Sequence, residues 1–203
     1  MVKHFGILTS ISWNSNAWSA PATQEDIDNS NYDYVKENGW MHEDLNFGHE
    51  TLPIEEDGDY IGYTPMFRKL PSESESRYVN IVFFRSLNYH NKKNSIVGFY
   101  AYPDIGFYPR EAEHRLYDSY DSGNIAAPPE HICLFENAIE ISNEIILKER
   151  IVPPGKKLGQ MGFNYLTYEN VLNILDIAGR LNPADSKLKK IKFAFLTHKS
   201  FRK

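Results

Sequence analysis

Apolar residues in this chain gather in short runs separated by polar turns. Tyr78–Ser86 (YVNIVFFRS) is dense in β-branched and aromatic side chains, and a polar stretch, Asn88–Asn94, follows it. A second run, Ser95–Tyr102 (SIVGFYAY), comes next. Two such runs joined by a polar loop predict an antiparallel hairpin. Gly98, inside the second run, predicts a bulge or a close backbone approach. Lys3–Ser12 (KHFGILTSIS) reads as a first strand, cut off by the turn-forming Trp13–Trp18 (WNSNAW). Ile132–Phe135 and Ala138–Ile141 read as two further strands, and Lys192–Thr197 (KFAFLT) as the last.

Helical periodicity is rarer. Thr167–Arg180 is the best case: Thr167 stands at the N-cap, Val171, Ile174, Leu175 and Ala178 share one face, and Asn182-Pro183 stops it. Thr23, with Asp26 three residues on, predicts a short capped helix that Asn29-Ser30-Asn31 ends. Tyr34–Asp59 reads as a long, acidic, ordered loop with at most one short strand, and loops of that length are usually functional or mobile. Residues 107–127 read as polar and turn-rich. Five or six strands with two or three short helices give an α+β class: a small, curved, mostly antiparallel sheet or open barrel with flanking helices, in one domain over residues 1–203.

Composition narrows the setting. A chain of 203 residues, 41% hydrophobic, can bury a full core. The lone Cys133 rules out an internal disulfide framework or a Cys-based zinc site. The apolar run at the start is too short for a signal peptide or membrane helix, so a cytoplasmic, reducing compartment is expected. Net charge is −5, which argues against indiscriminate nucleic-acid binding. The charge is uneven: residues 187–203 hold seven of the 22 basic residues and none of the acids. That segment reads either as a solvated tail or as a phosphate contact.

Motifs for catalysis are weak. His42-Glu43-Asp44 and His49-Glu50 cluster metal-ligand types, but a zincin helix would need His where Asn46 stands. The acids at 55–59 lack the spacing of a calcium loop. Pro103-Asp104 is followed by no Glu-x-Lys, as a restriction-nuclease core would require, and no G-x-S-x-G occurs. Gly155–Gly162, with Lys156 and Lys157, is not a P-loop but places two cations in a turn. Neither a cofactor nor a bound metal is expected.

The aromatics carry more. All three tryptophans, Trp13, Trp18 and Trp40, lie in the first forty residues, and Trp13 and Trp18 flank Asn14, Ser15 and Asn16. Aromatic walls stack on a base, and amides or hydroxyls read its edge.

HFGILTSIS-WNSN, Trp40 and the pair VNIVFFRS…SIVGFYAY together resemble the PUA-like superfamily, in particular its EVE and YTH branches. The chain is similar over residues 3–105 to N-terminal domains of McrB-type restriction subunits. The resemblance implies a small curved barrel that holds a modified or extruded base in an aromatic cage. It also implies a nucleic-acid partner, DNA ahead of RNA, and a place beside an AAA+ GTPase module or nuclease subunit. By position, Trp40 and Trp13 or Trp18 become cage walls, Asn14, Ser15 and Asn16 the pocket edge, and Arg85, Lys92 and Lys93 phosphate contacts. The expectation is therefore a specificity domain without catalysis of its own. A metal-dependent nuclease or hydrolase built on His42–Asp59, and a protein–protein adaptor with a Tyr-rich surface, stand as the alternatives.

Overall fold

A computed structural model describes residues 4–68, 78–110, 121–158 and 162–197. The chain is α+β. A five-stranded sheet runs in the order β7-β4-β3-β1-β8, and a three-stranded sheet in the order β2-β6-β5. The large sheet consists of β1 (Gly6–Ser10), β3 (Ile81–Leu87), β4 (Asn94–Ala101), β7 (Ile132–Glu140) and β8 (Phe163–Leu166). The small one consists of β2 (Tyr60–Gly62), β5 (Asp104–Pro109) and β6 (Ser122–Ala127). All neighbours pair antiparallel except β1 and β3, which run parallel.

The predicted hairpin is β3–β4. Its alternation sorts two cores. Ile81 and Phe83 point to one face, where they pack with α4 (Tyr168–Leu181) and α5 (Ser186–Thr197). Val82 and Phe84 point to the other, packing with Phe47, Tyr100 and Ile125 under the small sheet. Ile7 and Leu8 of β1 split the same way. Covering both faces explains why the central strands read as nearly unbroken apolar runs.

Gly98 meets its expectation. The β4–β7 register shifts between Ile96 and Gly98, and a Cβ on Gly98 would collide with the Cys133 carbonyl and stand 2.8 Å from the Phe47 ring. Helix α4 starts where expected, with a capping box between Thr167 and Asn170 and with Val171, Ile174, Leu175 and Ala178 buried. Thr23 likewise caps α1 (Gln24–Asp28) in a capping box with Asp26.

Four expectations change. Lys192–Thr197 is not a strand but the end of α5, because Leu188, Ile191 and Phe195 bury one helical face. The two apolar runs at 132–141 form one strand, β7, which the shift opposite Gly98 interrupts. Tyr34–Asp59 is not irregular throughout: it contains most of α2 (Asp33–Asn38) and a 3-10 turn, His42–Leu45. Residues 107–127 hold the last three residues of β5 and all of β6, with 111–120 outside the described residues, and β5 has no buried residue and so lacks apolar alternation. A short helix α3 (Asn143–Lys148) completes the set. Among the described residues no helix is long and apolar enough to cross a membrane.

Candidate functional site

After β1 the chain turns through residues 11–20, and two buried knots hold that turn. Asn14 is 1% exposed. Its amide donates to the Ala20 carbonyl (2.9 Å) and to Asp44 Oδ1 (2.8 Å), while its own oxygen accepts the Asn16 N–H (2.7 Å). This fastens the turn to the 3-10 segment. Asp26 is the second knot. It accepts the Ser15 N–H (3.0 Å) and hydroxyl (2.7 Å), the Thr23 N–H (3.0 Å) and the Tyr89 hydroxyl (3.0 Å). Burial pushes its carboxyl up, but the hydrogen bonds from Ser15 and Thr23 outweigh burial and hold it below the usual range.

Beside these knots opens a cavity of about 220 Å³. Helix α2 contributes Tyr34 and Val35, the 3-10 segment His42 and Glu43, and the stretch after β2 Tyr63 and Met66. Its walls are rings. Tyr34 and His42 lie near-parallel, 8° apart in plane with centroids 6.5 Å apart. Tyr63 stacks at a tilt against His42 at 4.5 Å. Trp40 meets His42 edge-on at 4.3 Å and Tyr34 at 6.1 Å. The volume is below the roughly 300–1,000 Å³ of drug-sized pockets and suits one flat ring system.

The floor is polar. Glu43 is 4% exposed, and its Oε1 accepts the Ser12 N–H at 3.0 Å. Burial pushes the carboxyl up, and hydrogen bonds from Ser12 and its own backbone only partly offset that. The Ser12 hydroxyl, beside the same carboxyl, and His42 Nδ1 are buried without a well-formed hydrogen bond among the described residues. Burial holds the His42 imidazole below its usual pKa, with Asp121 and Arg110 acting in opposite directions, so the ring is neutral.

The predicted residues fall into two places. Trp13, Asn14, Ser15 and Trp18 line a second recess of about 340 Å³, together with Lys93 and two asparagines, Asn88 and Asn91. Trp13 and Trp18 meet edge-to-face at 5.7 Å. Trp18 is itself core, 3% exposed, with its indole N–H donating to the Ser12 carbonyl at 2.9 Å. Asn16 is exposed and donates to the Pro21 carbonyl. Trp40 stands apart, packed edge-on against Tyr34 and His42 of the first cavity.

The predicted cations also differ in setting. Arg85 is only 8% exposed on β3, and burial draws its pKa down beside Tyr32, which lines the first cavity. Lys92 is exposed at the hairpin tip, and Lys93 pairs with Glu140 at 2.7 Å. Lys156 and Lys157 are exposed in the turn after Pro154. Of the basic segment, Lys187 to Lys192 lie on α5, Lys192 pairs with Asp176 at 2.6 Å, and 198–203 fall outside the described residues.

The metal-ligand types at 42–59 do not converge. His42 lines the first cavity, while His49 lines another, of about 550 Å³, together with Cys133, Asp185 and Lys187. The Lys187 ammonium lies 3.1 Å from His49 Nε2 and donates to the Pro129 (3.1 Å) and Ile132 (2.8 Å) carbonyls. Burial, then Asp185, pushes the Cys133 thiol far above its usual pKa, which makes it inert. Among the described residues no group of three His, Cys, Asp or Glu side chains is placed to hold a metal ion.

Sequence reading singled out Trp40 for a cage and took His42 and Glu43 only as metal-ligand types; it missed Tyr34, in the acidic loop, Ser12, at a strand end, and Tyr63, in a short apolar stretch. Comparison with family models, curated proteins and solved structures returns no match.

Proposed function

We propose that this domain binds nucleic acid and reads one modified or flipped-out base in the cavity walled by Tyr34, His42 and Tyr63. The observation that carries this reading is the pair of near-parallel rings over a floor of unsatisfied polar groups. A flat base gains a stacking face there, and Ser12, His42 and Glu43 offer partners to its hydrogen-bonding edge. The recess at Trp13 and Trp18, edged by Asn88, Asn91 and Lys93, takes the neighbouring nucleotide. Arg85, Lys92, Lys156 and Lys157 supply phosphate contacts.

In this reading the domain belongs to the PUA-like group, its sheets form the curved barrel of that group, and it serves as the specificity module of a modification-dependent restriction system, with catalysis in a partner. The acids around the cavity do not oppose it, because Glu43 and Asp44 are buried. A metal-dependent enzyme on His42–Asp59 has less support, since His42 and His49 face different cavities.

Fluorescence anisotropy with labelled single-stranded and duplex oligonucleotides, with and without a single modified base, tests the proposal. Expected is binding that weakens steeply with salt and favours one modified base. Tyr34→Ala and Tyr63→Ala each lower affinity about tenfold, in line with ~1–3 kcal/mol per stacked base. Absence of binding to every oligonucleotide at low salt removes the reading.

A further inference from the structure

We infer that the base this cavity selects is cationic, an N-methylated ring carrying positive charge rather than a neutral modified base. The inference rests on the base-reading proposal above and names its ligand class. Three observations converge on it.

The first is an acid without a counter-charge. Glu43 is 4% exposed and lines the cavity, and the influences on its carboxyl are burial and hydrogen bonds, with no cationic side chain among them. Buried acids are normally paired. The hydrogen bonds on its carboxyl come from Ser12, whose N–H reaches Oε1 at 3.0 Å, and from its own backbone, and these donors are all neutral. A cation entering the cavity supplies the missing charge, and Glu43 then holds it as the carboxylate.

The second is the wall. Tyr34, His42 and Tyr63 line the cavity, Tyr34 and Tyr63 each packing on His42, and Trp40 meets Tyr34 and His42 edge-on; the negative faces of such rings attract a cation. His42 is neutral, so it does not repel the ligand. The third is the apolar remainder. Val35, Met41 and Met66 line the same cavity, and soft thioether and alkyl surface suits a methyl group better than water.

The charges nearest the cavity are consistent with this. Arg110 and Asp121 both act on His42 and oppose one another, and Arg85 lies beside Tyr32, which lines the cavity.

The test compares isomers. Oligonucleotides bearing one 1-methyladenine (cationic) or one N6-methyladenine (neutral) contain the same heavy atoms and differ in where the methyl sits and in the proton that charges the first. Expected is about tenfold tighter binding of the cationic isomer by wild-type protein, a preference that Glu43→Gln abolishes while retaining the melting temperature. Equal or tighter binding of the neutral isomer overturns the inference and leaves base reading standing. Failure of all oligonucleotides to bind overturns both. A trimethyl-lysine peptide bound ahead of every oligonucleotide overturns both as well, in favour of a protein partner. The wild-type comparison decides the matter even if Glu43→Gln fails to fold.

Discussion

Gly98 shows how tightly single positions are set. Phe47 from the excursion after β1 lies on it, and the Cys133 carbonyl of β7 closes the other side. Gly98→Ala therefore forces a backbone shift in the central strand, with a cost of about 1–3 kcal/mol in urea unfolding. Asp26 is a second such position, since five donors from three segments end on its carboxylate. Asp26→Asn keeps the shape and reverses part of the hydrogen bonding, and it lowers stability by about 1.5–3 kcal/mol. The same change loosens the turn that carries Trp13, so oligonucleotide affinity falls with it. Little of this detail was visible beforehand. Gly98 announced itself as a glycine inside a strand, but Glu43 and Asp44 stood out only as metal-ligand types in an acidic loop. Nothing local marks a carboxyl that tertiary contacts bury.

At the level of elements, the readable ones were those whose own side chains supply the pattern. The β3–β4 hairpin and α4 bury a regular face, and the capping boxes at Thr23 and Thr167 are local by construction. Thr167→Ala removes the acceptor for the Asn170 N–H and lowers stability by about 1 kcal/mol, measured by thermal or urea unfolding. Helix α5 was misread for a physical reason. Phe193 and Leu196 are exposed, and beside buried Phe195 they mimic alternation over six residues. The helical face appears only when Leu188 and Ile191 are counted with Phe195. Strand β5 hid for the opposite reason: it exposes much of its surface, so pairing with β6 rather than burial defines it.

For the whole molecule, acid is the informative variable. Burial, then Lys187, lowers the His49 pKa from 6.5 to about 4, and burial also lowers those of His42 and His131. A histidine held neutral in the fold takes up its proton more readily when unfolded. Stability is therefore present above pH 6.5 and is lost as pH falls toward about 4. Urea midpoints measured across that window fall less steeply in His49→Gln than in wild type. Asp26, held below the usual carboxylate range, adds a further loss at still lower pH.

The parallel pairing of β1 with β3 has a kinetic side. The antiparallel β3–β4 pair closes by a short turn, but β1 and β3 are joined by the whole excursion that bears the aromatic cavity. Bringing β1 into the sheet closes that large loop, whereas the β3–β4 hairpin needs only a short one. The hairpin is thus the natural nucleus, and the cavity is among the last features to assemble. In a refolding experiment, ligand binding recovers in the slowest phase, later than strand formation, and a ligand that fits the cavity slows unfolding without hastening folding.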